Sequence, residues 1–158
     1  MLSRPRQVCG DSQLSLSGRE SMAPGVRPHG AHMMYPCPCC GYEVFGEAPG
    51  SYDICPICFW EDDIVQLAFS DLAGGANKCS LIEGQQNFEA FGACEMRIKD
   101  HVRAPKESET RDPAWRPLQP ARDRYLKWET QADHEKWQAV PDSGTLCLYY
   151  WLPEYWLA

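Results

Sequence analysis

The spacing of apolar and polar positions changes several times along the chain, and each change marks an element. Tyr42 to Phe45 alternates polar and apolar residues as a half-buried strand does, and Pro49-Gly50-Ser51 supplies turn chemistry behind it. Ile64 to Phe69 is apolar at 64, 65, 67, 68 and 69, and residues 71–78, reading DLAGGANK, form a loop. That loop lacks the Gly-x4-Gly-Lys-Ser/Thr spacing of a phosphate cradle. Ser80-Leu81-Ile82-Glu83 is a capping box and predicts a helix beginning at Leu81, with the Ser hydroxyl accepting from the Glu83 N–H and the Glu carboxylate reaching back. Leu81, Phe88 and Phe91, with Gly84 and Gln85 on the adjoining turn, lie near one face, and Gly92 suits the residue after the helix. Gly84 costs about 1 kcal/mol relative to Ala, so this helix depends on packing. A second short helix is expected from about Cys94 to Val102, with Met96, Val102 and Ile98 inward and Pro105 ending it.

Residues 104–120 hold four prolines and many charges and read as an extended surface connection anchored by Trp115. Residues 121–138 have a weak helical period carrying Tyr125, Trp128 and Trp137. Pro141-Asp142-Ser143-Gly144 is a turn signal, and Thr145 to Leu152, reading TLCLYYWL, is dense in β-formers and predicts a strand. Its aromatic side chains suit core or sheet packing, with a protein-binding surface as the alternative. At the other end, residues 1–32 are rich in Ser, Arg, Pro and Gly and predict disorder, without the contiguous apolar stretch of a signal peptide. Adjacent Met33 and Met34 offer a second candidate start.

The chemistry concentrates in residues 37–58, CPCCGYEVFGEAPGSYDICPIC. Two Cys-Pro-x-Cys elements give Cys37-x2-Cys40-x14-Cys55-x2-Cys58, one residue short of the usual spacing for paired zinc knuckles. Thiolates three positions apart on a tight turn can share one tetrahedral ion, and the proline preorganises that turn. Gly41 after the first element can adopt positive φ. Phe59 follows the second, so that knuckle is expected to close differently. Counting alone leaves Cys37 with Cys39, or Cys39 with Cys40, open; Cys37 with Cys40 mirrors Cys55 with Cys58 and is preferred. A disulfide framework needs an oxidising compartment, and a redox Cys-x-x-Cys needs a βαβ setting that the flanks lack. Cys37, Cys40, Cys55 and Cys58 are therefore the candidate ligands of a structural Zn²⁺, with all four positions taken and none left for water or substrate. Trp60 is expected to pack on the metal loops, and Glu61-Asp62-Asp63 to form a solvated face or turn. His29, His32 and His101 read as surface residues. Cys9, Cys39, Cys79, Cys94 and Cys147 are left as free thiols.

Net charge sharpens this. The 158 residues carry −7, and residues 34–118 alone carry seven Lys/Arg against fourteen Asp/Glu, so the cysteine-bearing segment would be repelled by phosphate and nucleic-acid binding is disfavoured. No apolar run approaches the 18 or so residues of a membrane span, and the default compartment is a reducing cytoplasm. The blocks YPCPCCGY at 35–42 and YDICPICFWEDD at 52–63, with GGAN-x2-SL…NF-x2-FG from Gly74 to Gly92 and RDPAWRPL at 111–118, resemble the bacterial cysteine-rich CPCC domain family. The resemblance implies a small zinc-ribbon-like domain with the same four cysteines as ligands and leaves Cys79, Cys94 and the Trp/Tyr-rich end unexplained.

The expected architecture is small α+β: a zinc-ribbon-like β-hairpin, one or two short helices, and a C-terminal aromatic-rich β segment. Three regions are expected: a disordered tail at 1–33, the cysteine-rich domain at 34–118, and a C-terminal extension at 119–158 packing on it. The expected function is a non-enzymatic module that binds another protein, with zinc as a structural cofactor. The alternatives are a thiol-based redox or transfer enzyme using Cys39 beside the metal, and a nucleic-acid-binding ribbon.

Overall fold

A computed structural model describes residues 33–140 and 147–157. The expected disorder at the N-terminus, the histidines at 29 and 32, Cys9 and the turn at 141–144 lie outside the described residues.

The only sheet among them pairs β1, Tyr35–Pro36, antiparallel with β2, Glu43–Phe45, placing Tyr35 opposite Phe45. Cys37 and Cys40 lie on the turn joining these strands, so the hairpin is wound around the first cysteine pair instead of running between the two pairs. A single antiparallel bridge, Ile54 with Glu61, encloses the second pair in the same way. The proline-rich connection then runs back along the first knuckle. The Glu43 N–H donates to the Thr110 carbonyl at 2.9 Å, the Asp112 N–H donates to the Gly41 carbonyl at 2.9 Å, and Tyr42 bridges to Arg111.

Helix α1, Ile64–Ala68, is capped by Asp63, whose carboxylate accepts from the Val65 and Gln66 N–H groups. Helix α2, Leu81–Phe91, starts where the capping box places it, and both halves of the box are made. It ends at Gly92 with φ of 83°, a left-handed conformation that costs glycine little. Mid-helix Gly84 has its reason in packing. A Cβ there would lie 3.2 Å from a Trp60 ring carbon and 3.4 Å from the Cys39 sulfur, so the missing side chain lets α2 settle against the cysteine loops.

The second expected helix is a 3₁₀ helix, Met96–His101. Ile98 is buried as expected, but Met96 is exposed. With about three residues per turn, Met96 and Lys99 fall in one row away from the face that Ile98 buries, while Val102, extended beyond the helix, packs partly buried against the core as expected. Helix α3, Gln131–Gln138, is capped by Thr130 and buries none of its residues fully.

The expected C-terminal strand is not formed in its described part. Cys147 makes one isolated parallel bridge to Tyr155, and turns follow, with the Leu152 N–H donating to the Tyr149 carbonyl and the Tyr155 N–H to the Leu152 carbonyl. The aromatic side chains enter the core instead, and their polar ends explain how. Tyr149 donates its hydroxyl proton to the Pro36 carbonyl at 2.9 Å, and the Trp151 indole N–H donates to Asp112 at 2.9 Å. Large side chains anchored by both packing and a polar tip outweigh strand propensity where no partner strand lies alongside.

Candidate metal centre

The two Cys-Pro-x-Cys elements adopt the same backbone. In the first, the Cys37 N–H donates to the Tyr42 carbonyl at 2.9 Å and the Gly41 N–H to the Cys37 carbonyl at 2.7 Å. In the second, the Cys55 N–H donates to Trp60 at 2.8 Å and the Phe59 N–H to Cys55 at 2.8 Å. Gly41 has φ of 79° and Phe59 φ of 69°, so the expectation that the second knuckle closes differently is overturned. The turn demands a left-handed residue at this point, and Phe59 accepts a backbone strain of about 1–2 kcal/mol to supply it. Glycine at 41 answers a second demand. A Cβ on it would lie 2.5 Å from Cδ2 of Trp115, whose ring is stacked on that backbone.

Repeating one turn twice aims four sulfurs at one point. Cys37 Sγ lies 3.6 Å from Cys58 Sγ, and Cys40 Sγ lies 3.7 Å from Cys55 Sγ. All four sulfurs fall within 4.8 Å of one another, and all four residues are fully buried. These separations are far beyond the S–S bond length of about 2.05 Å, so Cys37, Cys40, Cys55 and Cys58 are not joined by disulfides. Burial pushes the Cys37 and Cys58 thiols well above the usual value, their neighbouring thiols adding to the effect at both. At Cys55 burial also acts upward, but hydrogen bonds from Cys37, Cys40 and Cys58 outweigh it and bring the thiol down. A dry cluster of four sulfurs converging on one point is a donor set that can bind a metal ion in place of protons.

The fifth cysteine of the two knuckles has a different character. Cys39 is fully buried and stands where Ile57 stands in the other knuckle, packed toward Gly84 of α2. Burial pushes its thiol up to about 11. The structure thus brings Cys37, Cys40, Cys55 and Cys58 together and places Cys39 in an apolar slot beside them.

Five side chains whose polar contacts sequence reasoning missed hold the loops around the cluster. Gln85 of α2 donates from Nε2 to the Pro38 carbonyl at 2.8 Å, while its Oε1 accepts from the Leu118 N–H at 2.8 Å. The Trp115 indole N–H donates to the same Pro38 carbonyl at 3.1 Å, so the first knuckle is held from two sides. Asp62, expected on a solvated face, is fully buried. Its Oδ2 accepts from the Gly50 N–H at 2.8 Å and from the Ser51 N–H and hydroxyl at 3.0 Å each. Burial raises its carboxyl, with the Ser51 and Gly50 hydrogen bonds opposing. Asp63 is buried too, capping α1 and accepting from the Ala76 N–H. Gln66, the polar interruption in the apolar run 64–69, donates from Nε2 to the carbonyls of Leu72, Asn77 and Cys79 and accepts from the Asn77 N–H at 2.8 Å. Loops lined with unpaired backbone groups recruit buried acids and amides in this way. A polar residue isolated in an apolar run was the available signal. Trp60 is buried as expected, and His101 is exposed.

Fold and cluster together define a small α+β protein built on a cysteine centre that can bind a metal ion. Residues 35–109 match the family described as cysteine-rich CPCC. No curated protein matches the chain. Among the described residues no helix is long and apolar enough to cross a membrane.

Proposed function

We propose that the protein is a non-enzymatic binding module whose fold is fixed by one structural Zn²⁺ held by Cys37, Cys40, Cys55 and Cys58. The observation that carries the reading is the cluster's geometry. Zn–S bonds of about 2.3 Å give a regular tetrahedron edges of about 3.8 Å, close to the 3.6 Å and 3.7 Å sulfur separations between the knuckles. Four thiolates fill the coordination shell, and their complete burial leaves the ion no face toward a substrate. A reducing compartment such as the cytoplasm keeps such thiols free.

The loop before the second knuckle supports a protein-binding role. Tyr52 is 57% exposed and Ile54 50%, although the loop bearing them is tied down by Asp62 and by the Tyr52 N–H donating to the Asp62 carbonyl. Tyr52 holds φ at 62°, a conformation that disfavours a bulky residue and presents its ring outward. A rigid pair of exposed apolar side chains on an acidic domain suits a partner with an apolar, basic-rimmed pocket.

The zinc reading predicts that Cys55→Ala releases the metal and unfolds the domain, because structural zinc contributes folding free energy directly. Elemental analysis and circular dichroism of the purified variant check it; a folded, metal-free Cys55→Ala protein overturns it. For the binding reading, Tyr52→Ser/Ile54→Ser should keep fold and metal but lose partners crosslinked to the wild-type chain in its native lysate, and unchanged crosslinking rules out this surface.

A further inference from the structure

A second group of donors lies outside the four-cysteine centre. Cys79, Cys94 and Glu95 place two sulfurs and a carboxylate oxygen within 4.8 Å of one another. Cys79 immediately precedes the N-cap of α2 and Cys94 follows its C-cap, so the two meet because the chain turns back at left-handed Gly92. We propose that Cys79, Cys94 and Glu95 form a second metal site that takes a soft divalent cation, zinc- or cadmium-like, through two thiolates and one carboxylate.

The backbone carrying the two cysteines is held by hydrogen bonds of its own. Gln66 Nε2 donates to the Cys79 carbonyl at 3.0 Å, and Asn87 Nδ2 donates to the Cys94 carbonyl at 2.8 Å. The Cys94 N–H donates to the Cys58 carbonyl at 2.7 Å, which ties this site to the second knuckle. The Cys79 sulfur contacts the Cys94 carbonyl at 3.3 Å. The backbone is therefore preorganised while both thiols remain unbonded to each other.

Access and donor chemistry distinguish this group from the first centre. Cys94 is buried, whereas Cys79 and Glu95 are partly exposed, so an ion reaches the site from solvent. Two thiolates select soft d¹⁰ cations over magnesium or calcium. Three protein donors leave a fourth position for water or an outside ligand, in contrast to the closed four-thiolate shell. Glu95 also carries a contact that an ion must share: Arg97 Nε donates to its Oε2 at 2.6 Å, and the Lys78 N–H donates to Oε1 at 3.2 Å. The Arg97 side chain is 56% exposed and has solvent to move into.

The test titrates the reduced, metal-free full-length chain with Cd²⁺ under anaerobic conditions and follows thiolate-to-metal absorption, with iodoacetamide labelling at each stoichiometry. The wild type should bind two equivalents, and Cys79 should become protected from alkylation only as the second fills. Cys79→Ser/Cys94→Ser should retain one equivalent with unchanged affinity and near-wild-type thermal stability, and Glu95→Gln should weaken the second step at least about tenfold, about 1.4 kcal/mol. Saturation of the wild type at one equivalent that the double variant still binds, two equivalents in the double variant, or oxidation of the pair to a disulfide in the presence of Cd²⁺ each overturns the proposal. If the four-cysteine reading fails instead, the equivalent bound by the wild type survives Cys55→Ser and disappears in Cys79→Ser/Cys94→Ser.

Discussion

Gly41→Ala is the sharpest probe of how the first knuckle is held. The substitution meets two obstacles. The backbone keeps φ of 79°, where an L-residue costs about 1–2 kcal/mol. The new methyl would also lie 2.5 Å from Trp115 Cδ2 and 2.6 Å from its Cγ, both far inside van der Waals contact. Overpacking of this kind costs about 1–3 kcal/mol. The ring cannot retreat freely, because its N–H is committed to the Pro38 carbonyl at 3.1 Å. The total expected loss is roughly 3–6 kcal/mol, the lost hydrogen bond contributing about 1 of it. Urea unfolding at fixed free metal concentration measures it, and a cycle with Trp115→Ala separates the two parts: in the Trp115→Ala background only the backbone share, about 1–2 kcal/mol, should remain. Where folding and metal binding are one event, the same loss weakens apparent metal affinity by roughly 10²–10⁴-fold. A Gly41→Ala cost below about 1 kcal/mol, or one equal in both backgrounds, refutes the stacking argument.

Cys39→Ala should leave metal stoichiometry unchanged and cost about 1–2 kcal/mol from lost packing; loss of metal would instead make Cys39 a ligand. In the metal-loaded protein iodoacetamide should spare Cys39, which is fully buried with its thiol pushed up to about 11, and mass spectrometry of the alkylated chain reads this out. Gln66→Leu leaves three carbonyls and the Asn77 N–H without their partner. It should cost about 2–4 kcal/mol and accelerate amide exchange selectively over 71–79, and unchanged exchange there would show that the loop holds itself. Metal binding should release protons at neutral pH, because burial holds the Cys37 and Cys58 thiols above their usual value and the metal requires thiolates. Affinity then falls as pH falls, and calorimetry in buffers of different ionisation enthalpy should show a buffer-dependent heat.

The parts of this fold legible in the sequence are those governed by local chemistry. The capping box at Ser80 places the start of α2, and Gly92 its end, because both satisfy backbone groups within one turn. The four clustered cysteines are legible because two Cys-Pro-x-Cys turns restrict where their sulfurs can meet. What stayed hidden depends on distant partners. Asp62 and Asp63 read as solvated because nothing local reveals that Gly50, Ser51 and Ala76 point their N–H groups at them. The 145–152 run reads as a strand because propensity ignores the need for a partner. Tyr149 and Trp151 are placed by the Pro36 carbonyl and Asp112, more than 35 positions away.

The middle cysteine of the CPCC block, Cys39, also yields to a comparison between distant residues. Aligning the two knuckles on their shared hydrogen bonds puts Cys39 opposite Ile57, and both are buried. Cys39 stands outside the group of four sulfurs that converge within 4.8 Å, so its side chain is placed by packing. At Ile57 the pocket takes a branched aliphatic side chain. At Cys39 the neighbour is α2 at Gly84, where a Cβ would stand only 3.4 Å from the sulfur, leaving room for a small apolar group and not for isoleucine. Glycine at 84 and cysteine at 39 are thus two sides of one close approach. Enlarging either one, as Gly84→Ala or Cys39→Ile, should separate α2 from the metal loops, and neither change removes a ligand.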